Sequence, residues 1–263
     1  MEANPLSISN SNRARIAVIG GSGFGSAFIS GDAETIKTEH GEASVVRGTL
    51  NDVEVVFLAR HGAGHKIPPH RINHLANIAA LRELGIDKVF STVAVGSLRT
   101  NMAPGEFVII DDFVDLTKGG VTTFFDKVGD VCHTDFSEPY DVSLRGMLIS
   151  NAEQVATNHG YMGIHAAGTY LCLSGPRYET PAEVRLYAGL GCDVVGMTGA
   201  HEAILCRESG IRYASIAIVT NYGCGLVDTA PLSHDDVEEQ MARSRAFLVD
   251  LFTAITLSLG GMK

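Results

Sequence analysis

The sequence predicts one α/β domain in which a mixed central β-sheet is flanked by helices. Short β-branched runs bounded by turn residues recur along the 263-residue chain, as buried strands do. Amphipathic stretches with recognisable caps alternate with them, as helices do. The 45% hydrophobic content, against 19% charged, supports a full-sized core and excludes disorder, a collagen-like repeat and a disulfide-stapled miniprotein.

Taken in order, residues 1–13 are a polar arm, expected to be flexible and lacking the apolar stretch of a signal peptide. Residues 14–263 form the expected domain. Ala14–Gly20 and Val53–Ala59 read as buried strands. His70–Leu84 reads as a helix, with Ile72, Leu75, Ile78 and Ala79 as its stripe and Gly85 at its C-terminal cap. Strands follow at Lys88–Val95 and Phe107–Asp111, then a helix over Ser143–Thr157 and a strand at Gly168–Leu173. Thr180-Pro181-Ala182-Glu183 supplies an N-cap, a first-turn proline and a capping-box glutamate for the next helix. A strand at Asp193–Val195, a helix at Ala200–Ser209 and a strand at Tyr213–Val219 come next. His234–Leu257 closes the chain as a long helix with Val237, Met241, Phe247, Leu248 and Leu251 on its apolar side. Ser233 is placed to cap it, and Asp235 and Asp236 suit its dipole.

The formal net charge of -10 and the lack of any Lys/Arg run argue against nucleic acid or an anionic membrane as partner. No apolar run approaches the ~18 residues of a membrane span. Five scattered cysteines without CxxC spacing argue against structural zinc and a disulfide framework, and for a reducing, cytoplasmic setting. The 29 glycines leave room for a small anion held by backbone amides.

Four loops at strand ends are candidate sites. Gly20–Gly25 (GGSGFG) brings amides and the Ser22 hydroxyl toward an anion, yet is neither a Walker loop nor a dinucleotide fingerprint; a ligand-free turn is the competing reading. Arg60-His61 offers a forked donor and a histidine, against a plain surface loop. Tyr178-Glu179 sets an aromatic face beside a carboxylate before a capped helix, suited to a flat heterocycle, against a half-buried tyrosine and a solvated glutamate. Thr220-Asn221-Tyr222-Gly223 places a carboxamide with a donor and an acceptor where a purine edge could be read, against a simple turn. His61, His65, His70, His74 and His133 raise a metal reading, but no HExxH pattern supports it, and no metal is expected.

In their order along the chain, GGSGFG, ARHGAGH, TVAVGSLR, GTYLCLSGPRYETPAE, GCDVVGMTGAHEAILCRESGI and IVTNYG resemble the trimeric purine nucleoside phosphorylase and methylthioadenosine phosphorylase family. The likeness runs over residues 14–258 and is most specific in Gly-Pro-Arg-Tyr-Glu-Thr and Gly-Met-Thr. It implies phosphorolysis: inorganic phosphate attacks C1′ of a purine nucleoside and releases the base and a ribose 1-phosphate, without cofactor. It also implies a homotrimer or a dimer of trimers. The resemblance places phosphate among Ser22, Arg60, His61, the Ala94 amide and Thr198. It places the sugar on Met197 and the base-stacking aromatic on Tyr178, with Val195 lining the same pocket and Glu179 and Asn221 reading the base. His133 matches a position that reaches a neighbouring subunit's site.

Within the family, the methylthioadenosine branch carries aspartates where Asn221 and Gly223 stand and serine where Glu179 stands. Asn221 donating to N7 and a 6-oxo oxygen, with Glu179 accepting from N1–H, suits inosine and guanosine. At the sugar's 5′ end, His234 and Glu238 replace apolar residues of the methylthio branch and resemble the hydroxyl-reading segment. Arg60-His61 and His133 look more like the methylthio branch, so 5′-methylthioinosine is the alternative substrate. Val93 replaces a threonine of that branch, and His201 stands where both branches usually show proline. A metal-dependent nucleoside hydrolase and a catalytically idle purine-binding module are the competing functions. The first lacks an aspartate cluster, and the phosphate residues speak against the second.

Overall fold

A computed structural model describes residues 14–21, 28–62, 64, 66–119, 122–159, 163–227 and 234–261. The expected arm 1–13, Ser22, His65 and Ser233 lie outside the described residues. Eleven strands form one mixed sheet. In chain order the elements are β1 (Arg15–Gly20), β2 (Ala33–Thr38), β3 (Gly41–Leu50), β4 (Val53–Ala59), a 3-10 turn (Pro69–Arg71), α1 (His74–Glu83), β5 (Lys88–Ser97), β6 (Phe107–Ile109) and β7 (Asp112–Asp115). Then come α2 (Val142–Asn158), β8 (Ile164–His165), β9 (Thr169–Cys172), α3 (Pro181–Gly189), β10 (Val194–Gly196), α4 (Gly199–Glu208), β11 (Arg212–Tyr222) and α5 (His234–Gly260).

The main path through the sheet is β2-β3-β4-β1-β5-β10-β9-β7, while β11 pairs β5 and β6, and β6 pairs β8. The β1, β4, β5 and β11 pairings are parallel, and their strands are almost wholly buried. That burial explains their unbroken apolar runs. Ile78 and Leu81 of α1 with Ala203, Leu205 and Cys206 of α4 join one apolar cluster. Leu144 and Leu148 of α2 with Phe247, Leu251, Phe252 and Ile255 of α5 join a second. Helices thus flank a mixed sheet, as expected.

Several boundaries differ from the sequence reading, each for a local reason. The helix expected from His70 starts at His74, because Pro68 and Pro69 first build the 3-10 turn, and Asn73 then caps α1 by accepting from the Ala76 amide at 3.0 Å. Gly85 does end it, at φ +71. The strand expected over Phe107–Asp111 stops at Ile109, and the chain changes partner to form β7 beside β9. The β2–β3 hairpin escaped the reading because β2 carries polar residues and none of it is fully buried. Its neighbour β3 joins β4 through Asn51-Asp52, both at positive φ (50° and 61°), the conformation of a two-residue primed turn.

The α5 helix is anchored by Phe252, fully buried with its ring 5.7 Å from Phe28 and 6.1 Å from Phe90. Phe252→Ala should cost about 3–5 kcal/mol, by lost burial plus the cavity left behind. Urea unfolding measures it; a loss below about 1 kcal/mol would mean that the helix end does not anchor the core.

Candidate active site

The sheet divides at β5, and the division makes the site. One edge of β5 pairs with β11 from Lys88 to Ser97. The other edge pairs with β1 at Val89–Ser91 and with β10 at Gly96 and Ser97. Between these two partners lies a gap, and Thr92, Ala94, Val95 and Gly96 line a cavity of about 920 Å³ there. The Thr92 carbonyl turns into the gap to accept from Arg60 Nη1 at 3.0 Å. Strand alternation points the Ala94 N–H the same way, two residues on.

Arg60, His61 and Thr198 also line this cavity. Arg60, at the end of β4, is only 3% exposed. Its Nε and Nη2 donate to the two Glu202 oxygens at 2.5 and 2.9 Å, and Nη2 also donates to Ser91 Oγ at 2.7 Å. The fork expected to meet an anion is therefore turned to Glu202. With Nη1 bonded to Thr92, four of the five guanidinium hydrogens are engaged. Glu202 Oε2 accepts further from Ser91 Oγ at 2.8 Å and Tyr213 Oη at 3.0 Å. Burial works against both charges, but mutual attraction outweighs it and keeps the carboxylate below, and the guanidinium above, its ordinary pKa.

His61 Nδ1 lies 2.8 Å from the Ile67 carbonyl. A carbonyl only accepts, so Nδ1 carries the proton. Thr198 is the N-cap of α4, but its side chain makes no capping bond. The Tyr170 hydroxyl instead accepts from the Thr198 and Gly199 amides at 3.2 and 3.1 Å. The Thr198 hydroxyl is left to the cavity, near the positive end of the α4 dipole.

A β-bulge between Val219 and Asn221 shifts β11 by one residue against β5, re-aiming the side chain that follows. Asn221, for which a turn was the competing reading, thus belongs to the strand. Its Nδ2 donates to the Tyr222 carbonyl at 3.0 Å, and its Oδ1 lies 2.8 Å from the Thr220 hydroxyl. One Nδ2 hydrogen has no partner among the described residues, so Asn221 offers one N–H here where two donations were expected. Glu179 is buried, and burial raises its pKa against the smaller pull of Arg177. Tyr178, Glu179, Val195 and Asn221 all line the cavity. Met197 lines it too, packed so closely on Gly175 that a Cβ there would run into its Sδ. Val237, Glu238, Met241 and Leu248 of α5 close the remaining side.

Three predicted positions stand apart. Ser22 is outside the described residues. His234 opens α5, with its side chain likewise outside the description. His133 is exposed and does not line the cavity. Glu202, Tyr170 and Ser91 were missed. Glu202 lies 142 residues from Arg60, and its only signal was a carboxylate on an otherwise apolar helix face. His201 stacks on His74, with centroids 4.7 Å apart and planes 12° apart. Burial pushes the His74 pKa down to about 3 and also lowers that of His201, so both rings are neutral near pH 7. Among the described residues, no helix is long and apolar enough to cross a membrane.

The chain belongs to the phosphorylase superfamily, whose family model matches residues 15–256. It is 45% identical to a "Probable 6-oxopurine nucleoside phosphorylase" of Dictyoglomus turgidum, over 92% of this chain and 90% of that protein. It is also 45% identical to the 6-oxopurine nucleoside phosphorylase of Pyrococcus furiosus, over 91% of each. A "Probable S-methyl-5'-thioinosine phosphorylase" of Thermodesulfovibrio yellowstonii is 38% identical over 89% of this chain and 87% of its own. Among solved structures, methylthioadenosine phosphorylase from Schistosoma mansoni in complex with adenine superposes with a TM-score of 0.88 at 32% identity, covering 95% and 93% of the two chains.

The α3 capping box secures the turn that delivers Tyr178 and Glu179. Glu183 accepts from the Arg177 guanidinium twice at 2.7 Å and from the Thr180 amide at 2.8 Å, which pushes its pKa down to about 2. A lowered folded-state pKa stabilises the fold above the ordinary Glu value, about 4.3, and that contribution fades as pH falls through about 2. The Tm difference between wild type and Glu183→Gln should therefore shrink between about pH 5 and pH 2. A pH-independent difference would sink the assignment.

Proposed function

We propose that the chain is a purine nucleoside phosphorylase that cleaves the N-glycosidic bond of 6-oxopurine nucleosides, inosine and guanosine, with inorganic phosphate. The observation that carries this reading is one cavity lined by two chemically distinct sets of residues, Glu179 and Asn221 in one and Arg60, His61, Ala94 and Thr198 in the other. The 6-oxopurine name of two relatives at 45% identity supports the same choice.

In this reading phosphate sits among the Ala94 N–H, the remaining Arg60 Nη1 hydrogen, the Thr198 hydroxyl and His61, with Ser22 joining from the glycine loop. Its oxygen faces C1′ of a sugar held against Met197. As the glycosidic bond breaks, positive charge grows on the sugar ring beside the phosphate, and negative charge grows on the purine. The Asn221 N–H meets that charge at the N7 and 6-oxo edge, and the Glu179 carboxylate accepts from N1–H. Tyr178 and Val195 flank the ring. The chemistry needs positioning and charge stabilisation, with no covalent intermediate.

A 6-aminopurine offers an amino hydrogen where Asn221 presents its donor and a bare lone pair where Glu179 needs a proton. Each mismatch in a dry site costs about 1–3 kcal/mol, or roughly tenfold to a hundredfold in rate. At the 5′ end, His234 and Glu238 suit a hydroxyl. The apolar edge of Val237, Met241 and Leu248 on the cavity favours a second reading, a 5′-methylthioinosine substrate. We further infer a cytoplasmic homotrimer, or a dimer of trimers, in which the exposed His133 reaches a neighbouring site; light scattering tests the assembly.

Phosphate-dependent release of base from inosine, guanosine, adenosine, methylthioinosine and methylthioadenosine tests the reading. Inosine and guanosine should be cleaved fastest, and only with phosphate present. Phosphate-independent release would indicate a hydrolase, and binding without release an idle module. Asn221→Asp should lower the inosine-to-adenosine ratio of kcat/KM by about tenfold or more; an unchanged ratio would overturn the base-reading role.

A further inference from the structure

We propose that Glu202 is a positioning residue for phosphate, acting through Arg60. The inference rests on the phosphorolysis reading and goes beyond it, because Glu202 does not line the reaction cavity. Glu202 is 2% exposed on the buried side of α4, and its two oxygens take the Nε and Nη2 face of Arg60. Ser91 bridges the pair, accepting from Arg60 at 2.7 Å and donating to Glu202 at 2.8 Å, while Tyr213 closes the set at 3.0 Å.

Two consequences follow. The guanidinium plane has one orientation, and among the described residues its one hydrogen without a partner is on Nη1, the nitrogen whose other hydrogen is tied to the Thr92 carbonyl inside the β5 gap. The pair is also electrically neutral, so phosphate meets an oriented donor in place of a bare cation. Neutral His74, which lies near Glu202, leaves the carboxylate to Arg60. An arginine released from Glu202 would have several rotamers and an unpaired charge in a buried site, and would lose its aim at phosphate.

The test is a comparison of KM for phosphate and for inosine in Glu202→Gln, Arg60→Ala and the double variant. A glutamine keeps the shape but sets an N–H₂ group against the donors of either Arg60 or Ser91. Glu202→Gln should raise the phosphate KM about tenfold or more while changing the inosine KM less than about twofold. The double variant should bind phosphate no worse than Arg60→Ala alone, since the two residues act as one unit. Tyr213→Phe and Ser91→Ala each remove one bond to Oε2 and keep the ion pair. They should raise the phosphate KM about twofold to fivefold, and they decide the matter if Glu202→Gln does not fold. An unchanged phosphate KM, equal changes in both KM values, or multiplicative effects in the double variant would overturn the proposal while leaving the phosphorolysis reading intact. A wild type that releases no base in the presence of phosphate would overturn both.

Discussion

The unequal pairing of β5 is the constraint from which the site follows. A central strand ordinarily has neighbours along both edges, but β5 changes neighbour on one edge, from parallel β1 to antiparallel β10. A gap opens in the sheet, where the Thr92 carbonyl of β5 faces the cavity. The segments that line it arrive by simple geometry: β4 leads into Arg60, β10 continues into Met197 and Thr198, and β11 bulges at Asn221. The scaffold thus gathers polar side chains that are distant in sequence around one cavity.

The electrostatic design fits an acidic protein. With a net charge of -10, long-range attraction does not gather anions from solution. In the function proposed, phosphate is held locally, through strand and helix-end amides, hydroxyls and Arg60, whose charge a buried carboxylate already balances. Such an arrangement depends on orientation more than on charge. It accounts for the buried polar network of Ser91, Glu202 and Tyr213 behind the cavity, which would be costly to bury if any member lacked its partner.

Most of the layout was legible in the sequence, and what was not has physical causes. Buried strands such as Val53–Ala59 announce themselves by composition, and the Thr180–Glu183 capping box by its spacing. The β2–β3 hairpin was invisible because a strand with no buried face has no hydrophobic alternation to read. Tyr178, Glu179 and Asn221 were legible as chemistry at strand ends and in a motif. Glu202 and Tyr170 were not, since their importance lies in partners far along the chain. The orientation of Arg60 could not be read either: residue type shows that a fork exists, and only the fold shows which way it faces.

The Tyr170 hydroxyl has a consequence for how this pocket could change. It sits beneath the turn into α4, and a Cβ on either Gly196 or Gly199 would press into its ring. Two glycines and one tyrosine therefore form a gauge block that sets how far the α4 turn stands from β9. A side chain at either glycine would have to displace the tyrosine or the α4 turn, and with it Met197 and Thr198, the two residues between them. The placement of these two cavity-lining side chains is thereby tied to the size of one ring that does not itself line the cavity.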